Sequence, residues 1–129
     1  MEKSTVSTDK APSAIGPYSQ GIAAGPWLFV SGQLGMNPQT GELVGEDLAS
    51  QARQALDNLK AVVEAGGGTM ADVAAVEVFL TDMSTFAAFN AIYAEYFEAH
   101  KPARAAIGVA ALPKGAAVEV KCIALRSTP

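Results

Sequence analysis

Three segments of the chain alternate with a period of two, and in each of them one parity is apolar throughout. Leu28 and Val30, then Val76, Val78 and Leu80, then Val118, Val120 and Cys122 would line one side of a sheet. The other parity is mixed: Trp27, Phe29, Phe79 and Ile123 stand beside Ser31, Glu77, Glu119 and Lys121. Helices can cover the first face, whereas the second is too apolar to leave in water and too polar for a closed core. An interface between copies of the chain that contains a polar crevice satisfies both demands, and it predicts a homo-oligomer.

The helices are legible in the same way. Leu48, Ala52, Ala55, Leu56, Leu59, Val62 and Val63 recur at helical spacing until Gly66-Gly67-Gly68 stops them. A second helix, capped by Asp82 or Ser84, carries Met83, Phe86, Phe89, Tyr93, Tyr96 and Phe97 and ends at His100-Lys101-Pro102. Residues 20–34 read as a hairpin turning at Gly25-Pro26, residues 4–8 as a first strand and residues 73–81 as a β-branched strand. Residues 103–110 and 118–125 are the last two strands, joined through Leu112-Pro113-Lys114-Gly115. The order β-β-β-α-β-α-β-β predicts an α+β fold, a two-layer sandwich of about six strands with both helices on one face, in a single domain over residues 1–129.

Composition removes several function classes. Thirteen acids against nine bases give a net charge of −4, which would repel a nucleic-acid backbone. One cysteine cannot form an internal disulfide, and with one histidine the ligands for a Cys/His metal cluster are missing. The N-terminus, MEKSTVSTDK, lacks the apolar run of a secretory signal, and no stretch stays apolar for about 18 residues, so the expectation is a cytoplasmic protein away from membranes. Gly66-Gly67-Gly68 follows a helix and lacks a Lys-Ser/Thr pair, so it is no phosphate cradle.

A few residues stand out as candidates for chemistry. Arg104, in Pro102-Ala103-Arg104, is either a surface arginine at a strand end or a planar fork gripping a carboxylate. Alternation would put Arg104, Ala106 and Gly108 on the mixed face, with Ala105, Ile107 and Val109 toward the helices. Glu119, in the apolar run Val118-Glu119-Val120, is either an ion-pair partner of Lys121, Arg104 or Arg53 or a group that orients water. A tight hairpin pairing Val109 with Val118 would set Arg104 opposite Ile123 and roughly 16 Å from Glu119, so joint action would need two chains. Tyr18 follows the turn Ile15-Gly16-Pro17 and either presents its phenol or caps the core. Ser31 and Gly32 mark either a bulge or a close approach to a ligand. Phe86 and Asn90 share a helix face, where they could supply an aromatic wall and an amide. Cys122 reads as a small buried hydrophobe and His100 as a cap on the helix dipole.

Together, Ala14-Ile15-Gly16-Pro17-Tyr18-Ser19-Gln20-Gly21, Val30-Ser31-Gly32-Gln33, Asn37-Pro38 with Thr40-Gly41, Gln51-Ala52 with Asn58-Leu59, Pro102-Ala103-Arg104, and Leu112-Pro113-Lys114-Gly115 through Val118-Glu119-Val120 resemble the RidA family, once called the YjgF group. The resemblance covers nearly the whole chain. It implies a chorismate-mutase-like fold assembled as a homotrimer with clefts between subunits. It also implies hydrolysis, without a cofactor, of 2-imino and 2-enamino acids released by pyridoxal-phosphate dehydratases, to 2-keto acids and ammonia. By motif, Arg104 would hold the substrate carboxylate with help from the backbone N–H at Ala106, and Glu119 would position water. Tyr18, Ser31 and Asn90 match pocket positions, and Tyr18 joins Arg104 and Glu119 as the expected catalytic set, with Ser31, Gly32, Phe86, Asn90 and Ala106 binding substrate. Ala106 is a departure, since many deaminating members carry cysteine there, and the segment before Pro102 is short beside some members. A non-catalytic trimer that binds metabolites or client proteins is the alternative, and a ribonuclease, which some relatives are said to be, ranks third against the acidic balance.

Overall fold

Gly25, at a positive φ of 58°, turns the chain back on itself, and the alternating segments pair into one six-stranded sheet. A computed structural model describes residues 1–127, and the last two residues of the expected 1–129 domain lie outside the described residues. The strands are β1 (Lys3–Val6), β2 (Gly21–Ala24), β3 (Trp27–Leu34), β4 (Val73–Leu80), β5 (Ala103–Gly108) and β6 (Val118–Leu125). The helices are α1 (Leu48–Ala65) and α2 (Phe86–Tyr96). Strand order is β1-β2-β3-β6-β4-β5, antiparallel throughout except for β4 and β5. That parallel pair is joined by α2, the crossover that parallel strands require.

Both helices cover the face that alternation predicts. Ala52, Ala55, Leu56, Leu59, Val62 and Val63 of α1 are fully buried against Leu28, Val78, Leu80, Val118 and Val120. Asp47 starts α1 by accepting from the Ser50 N–H at 2.9 Å, and the chain leaves it through Gly67 at φ 90°. Asp82, one of the two expected caps, accepts from the Ser84 N–H at 2.9 Å, but it caps a short 3₁₀ turn, Met83–Thr85, that feeds α2. Two buried amides on α1 tie loops down: Asn58 donates to the carbonyls of Leu34 and Met36, and Gln51 donates to Gly45 O and accepts from Ala117 N.

Several expectations need correction. The last two strands form no hairpin: β6 inserts between β3 and β4, and β5 lies on the far side of β4. The connection turns through Pro113–Gly115, where Lys114 (φ 61°) and Gly115 (φ 68°) take left-handed backbone and carry the chain across β4. The parity of β5 is also reversed. Arg104, Ala106 and Gly108 register with the core-facing Val76, Val78 and Leu80, while Ala105 and Ile107 align with Glu77 and Phe79 on the open face. In a strand made of Ala, Gly, one Arg and one Ile, apolar alternation carries almost no parity information, so pairing with β4 decides it. The first strand is Lys3–Val6 rather than 4–8, because the backbone of Thr8 turns to the Gln20 side-chain amide. His100 does not cap α2, since its Nε2 donates to Val73 O at 2.7 Å.

Candidate active site

The open face of the sheet holds a cavity of about 740 Å³ lined by Ile15, Tyr18, Ser31, Gly32, Pro113 and Glu119 among others. Its floor is a bulge: the β3–β6 register shifts between Val30 and Gln33, so Ser31 and Gly32 fall out of the ladder. Both readings of Ser31-Gly32, bulge and close approach, are therefore realised. The Ser31 N–H donates to Gln20 O at 2.9 Å and its hydroxyl donates to Ser19 O at 2.5 Å, which leaves the oxygen as an acceptor. A Cβ on Gly32 would collide with Glu119 Oε2, so the missing side chain is what lets the carboxyl lie on the β3 backbone.

Glu119 is half-buried, and burial pushes its carboxyl above the ordinary value against a smaller lowering by Lys121. Among the described residues it has no ion pair: Lys121 pairs with Glu77 at 3.5 Å and Arg53 with Glu95 at 2.8 Å. Tyr18 hangs over the cavity, 54% exposed as a residue, and its hydroxyl accepts from the Ile15 N–H at 3.4 Å. It presents its phenol and does not cap the core.

A second cluster forms at the β5 edge of the sheet. Arg104 leaves β5 on the helix side and lies over α2, its guanidinium carbon 4.7 Å from the Tyr93 ring centroid and 5.6 Å from that of Phe86. Its Nη1 donates to Asn90 Oδ1 at 2.7 Å. Phe86, Asn90 and Tyr93, spaced four and three apart, make one stripe along α2, and Ala106 packs beside it. The Val109 N–H donates to Leu80 O. In a parallel ladder alternate residues point their backbone groups to the same neighbour, so Ala105 and Ile107 face β4 while Arg104, Ala106 and Gly108 direct N–H and C=O outward from the sheet edge.

The structure thus divides the expected residues into two groups. Tyr18, Ser31, Gly32 and Glu119 share the open-face cavity; Arg104, Ala106, Phe86 and Asn90 share the edge. Arg104 and Glu119 do not face the same side. Glu119 pairs with Phe79 and Arg104 with Val76, one on each flank of β4 and on opposite faces. Three residues along and two strand spacings across put their Cα atoms roughly 14 Å apart. Asn90 spends its carbonyl on Arg104, so it orients the guanidinium.

Sequence reading missed two contributors. The sequence offers Tyr93 only as one of the aromatic residues of the second helix, although its spacing from Phe86 and Asn90 puts it on their face. Gln20, one residue before β2, is buried and holds residues 8–12 with both ends of its amide, which fixes the loop that bears Tyr18. Cys122 is buried as expected, its thiol pushed up to about 12 by desolvation. Among the described residues no helix is long and apolar enough to cross a membrane.

Known proteins resemble this chain in sequence and in fold. A family model described as Endoribonuclease L-PSP matches residues 8–126. A RutC family protein of Pyrococcus horikoshii is 48% identical over 124 residues, which is 96% of this chain and 98% of that one. The 2-iminobutanoate/2-iminopropanoate deaminase of Escherichia coli is 47% identical over 125 residues, 95% of this chain and 97% of that one. The crystal structure of E. coli TdcF with bound serine superimposes with a TM-score of 0.92 at 42% identity, covering 96% of this chain and 99% of that one. A match running through nearly every element, from the Tyr18 loop to β6, leaves one conclusion: the chain belongs to the RidA (YjgF) family, the group described as Endoribonuclease L-PSP.

Proposed function

We propose that this protein is a 2-iminobutanoate/2-iminopropanoate deaminase, which hydrolyses 2-imino and 2-enamino acids to 2-keto acids and ammonia. The observation that carries the reading is the preorganised guanidinium of Arg104, seated on aromatic faces beside a strand edge whose backbone N–H groups at Arg104, Ala106 and Gly108 point outward. A fork with outward N–H donors beside it is matched to a planar carboxylate. Relatives 44–47% identical over at least 94% of this chain carry that activity in their names, and TdcF binds serine, itself an α-carboxylate.

In this reading Arg104, assisted by the Ala106 N–H, holds the carboxylate, and Glu119 directs a water at C2 of the imine from the Gly32 side. The water oxygen bonds to C2 as one of its O–H bonds breaks, its proton going by way of Glu119 to the nitrogen that receives the C=N π pair. The carbinolamine then collapses: its hydroxyl proton passes by way of Glu119 to the amino nitrogen, the oxygen's electron pair forms C=O, and the C–N bond breaks with its pair going to nitrogen to release ammonia. The imine is already electrophilic, so positioning contributes more than nucleophile activation. A carboxyl raised by burial is suited to passing protons in both directions. Tyr18 and Ser31 complete the wall, and Phe86 and Asn90 support the clamp.

Since Arg104 and Glu119 leave opposite faces of one sheet, the site closes only when the β5 edge of one protomer meets the cavity of another, and a homotrimer meets this need. The unpaired β5 edge and the exposed Trp27, Phe29 and Ile107 are the surfaces such an assembly would cover. The physiological substrate would come from pyridoxal-phosphate dehydratases acting on serine or threonine in the cytoplasm. The test couples such a dehydratase to this protein and times 2-keto acid formation. Acceleration over buffer is expected, and Arg104→Ala should abolish it while the oligomer survives. Binding of the 2-keto acid without acceleration would favour a metabolite-binding role instead.

A further inference from the structure

We propose that Tyr93 is the positioning residue of the Arg104 clamp, acting through the face of its ring and not through its hydroxyl. The proposal rests on the reading of Arg104 as the carboxylate grip. A free arginine side chain turns about several single bonds, and part of that freedom is lost each time it orders around a ligand. Here the guanidinium is ordered beforehand. Its carbon lies 4.7 Å from the Tyr93 ring centroid, closer than the 5.6 Å to Phe86. Tyr93 is also the better anchored of the two. It is buried, with the Phe97 ring 4.7 Å and the Phe89 ring 5.7 Å away, whereas Phe86 is partly open.

The hydroxyl has no share in this. Tyr93 Oη is buried and has no hydrogen-bond partner among the described residues, so it neither ties Arg104 nor reaches the substrate. What remains is the negative face of a buried ring under a cation whose other side is open to solvent. Asn90 fixes the guanidinium within its plane through Nη1, and Tyr93 fixes the height and tilt of that plane. The remaining N–H groups are then free for a carboxylate at the β5 edge.

The test replaces Tyr93 in the full-length assembled protein and measures the Kd of the stable product 2-oxobutanoate together with KM and kcat in the coupled assay. Tyr93→Phe should stay within twofold of the parent. Phenylalanine fluorinated stepwise at position 93 keeps the ring's shape while draining charge from its face, and Kd should weaken with each fluorine, to about fivefold overall, with kcat nearly constant. Tyr93→Leu should weaken Kd at least as much. In an Arg104→Gln background, the same fluorination should change Kd less than twofold. A flat response to fluorine, a loss in Tyr93→Phe equal to that in Tyr93→Leu, or an undiminished effect in Arg104→Gln would each overturn the role of the ring while leaving the clamp standing. Unchanged Kd in Arg104→Gln alone would instead remove the clamp, and this proposal with it.

Discussion

Gln20→Met isolates the device that holds the Tyr18 loop. The two side chains are alike in length and volume, so packing is kept while four hydrogen bonds are lost. Gln20 Oε1 accepts from Thr8 N at 2.7 Å, and Nε2 donates to the carbonyls of Thr8 (3.0 Å), Ala11 (3.2 Å) and Pro12 (2.8 Å). Thr8 is partly open and can turn to water. The bonds to Ala11 and Pro12 are buried, and each stranded carbonyl costs about 1–3 kcal/mol. Greater apolarity of methionine returns roughly 1–2 kcal/mol. The expected loss is about 3 kcal/mol, which moves a urea midpoint down by about 1–2 M for a chain of this size. The assay is urea unfolding at one fixed protein concentration, since assembly contributes to apparent stability. Hydrogen exchange should show protection falling first over residues 8–18 and last in β4. A loss under about 1 kcal/mol, or unchanged exchange over residues 8–18, would refute the assignment of Gln20 as the loop's anchor.

Two further predictions bear on the cavity. Burial raises the folded Glu119 carboxyl above its unfolded value, so the folded state binds that proton more tightly and the residue costs stability as pH climbs from the ordinary carboxylate range through the raised value. Glu119→Gln should therefore leave Tm unchanged near pH 4, raise it at pH 7.5 and lower deaminase activity. A Tm gain that does not grow with pH would show that charge, such as a neighbour's Arg104, governs the carboxyl and not burial. Gly32 has no positive φ, so Gly32→Ala is tolerated by the backbone, but the new methyl would displace the Glu119 carboxylate. We expect kcat to fall about a hundredfold with little change in Tm. Unchanged turnover in this variant would mean that the position of Glu119 does not matter.

Local patterns explain which parts of the site could be read without coordinates. Leu48 to Val63, Val118 to Cys122 and the Gly25 turn each declare their element within a few residues, because periodicity and turn chemistry are properties of neighbours along the chain. The mixed face was legible too: Trp27 and Phe29 stay more than 40% exposed beside Glu77 and Lys121. Motifs likewise brought Tyr18, Ser31, Gly32 and Glu119 into one reading, and they meet in one cavity.

Arg104 is where that reading stopped. Its own strand is nearly all alanine and glycine, so no hydrophobic contrast tells one side from the other, and only the register with β4 turns the guanidinium under α2 onto Tyr93. The insertion of β6 between β3 and β4 is equally silent in the sequence, because it is decided by contacts between segments far apart along the chain. Local chemistry determined the elements and their buried stripes and marked Arg104 and Glu119 as candidates. Tertiary packing alone decided that clamp and acid leave opposite faces of one sheet, since strand order and edge-strand orientation minimise exposed surface over the whole molecule and not over any stretch of it.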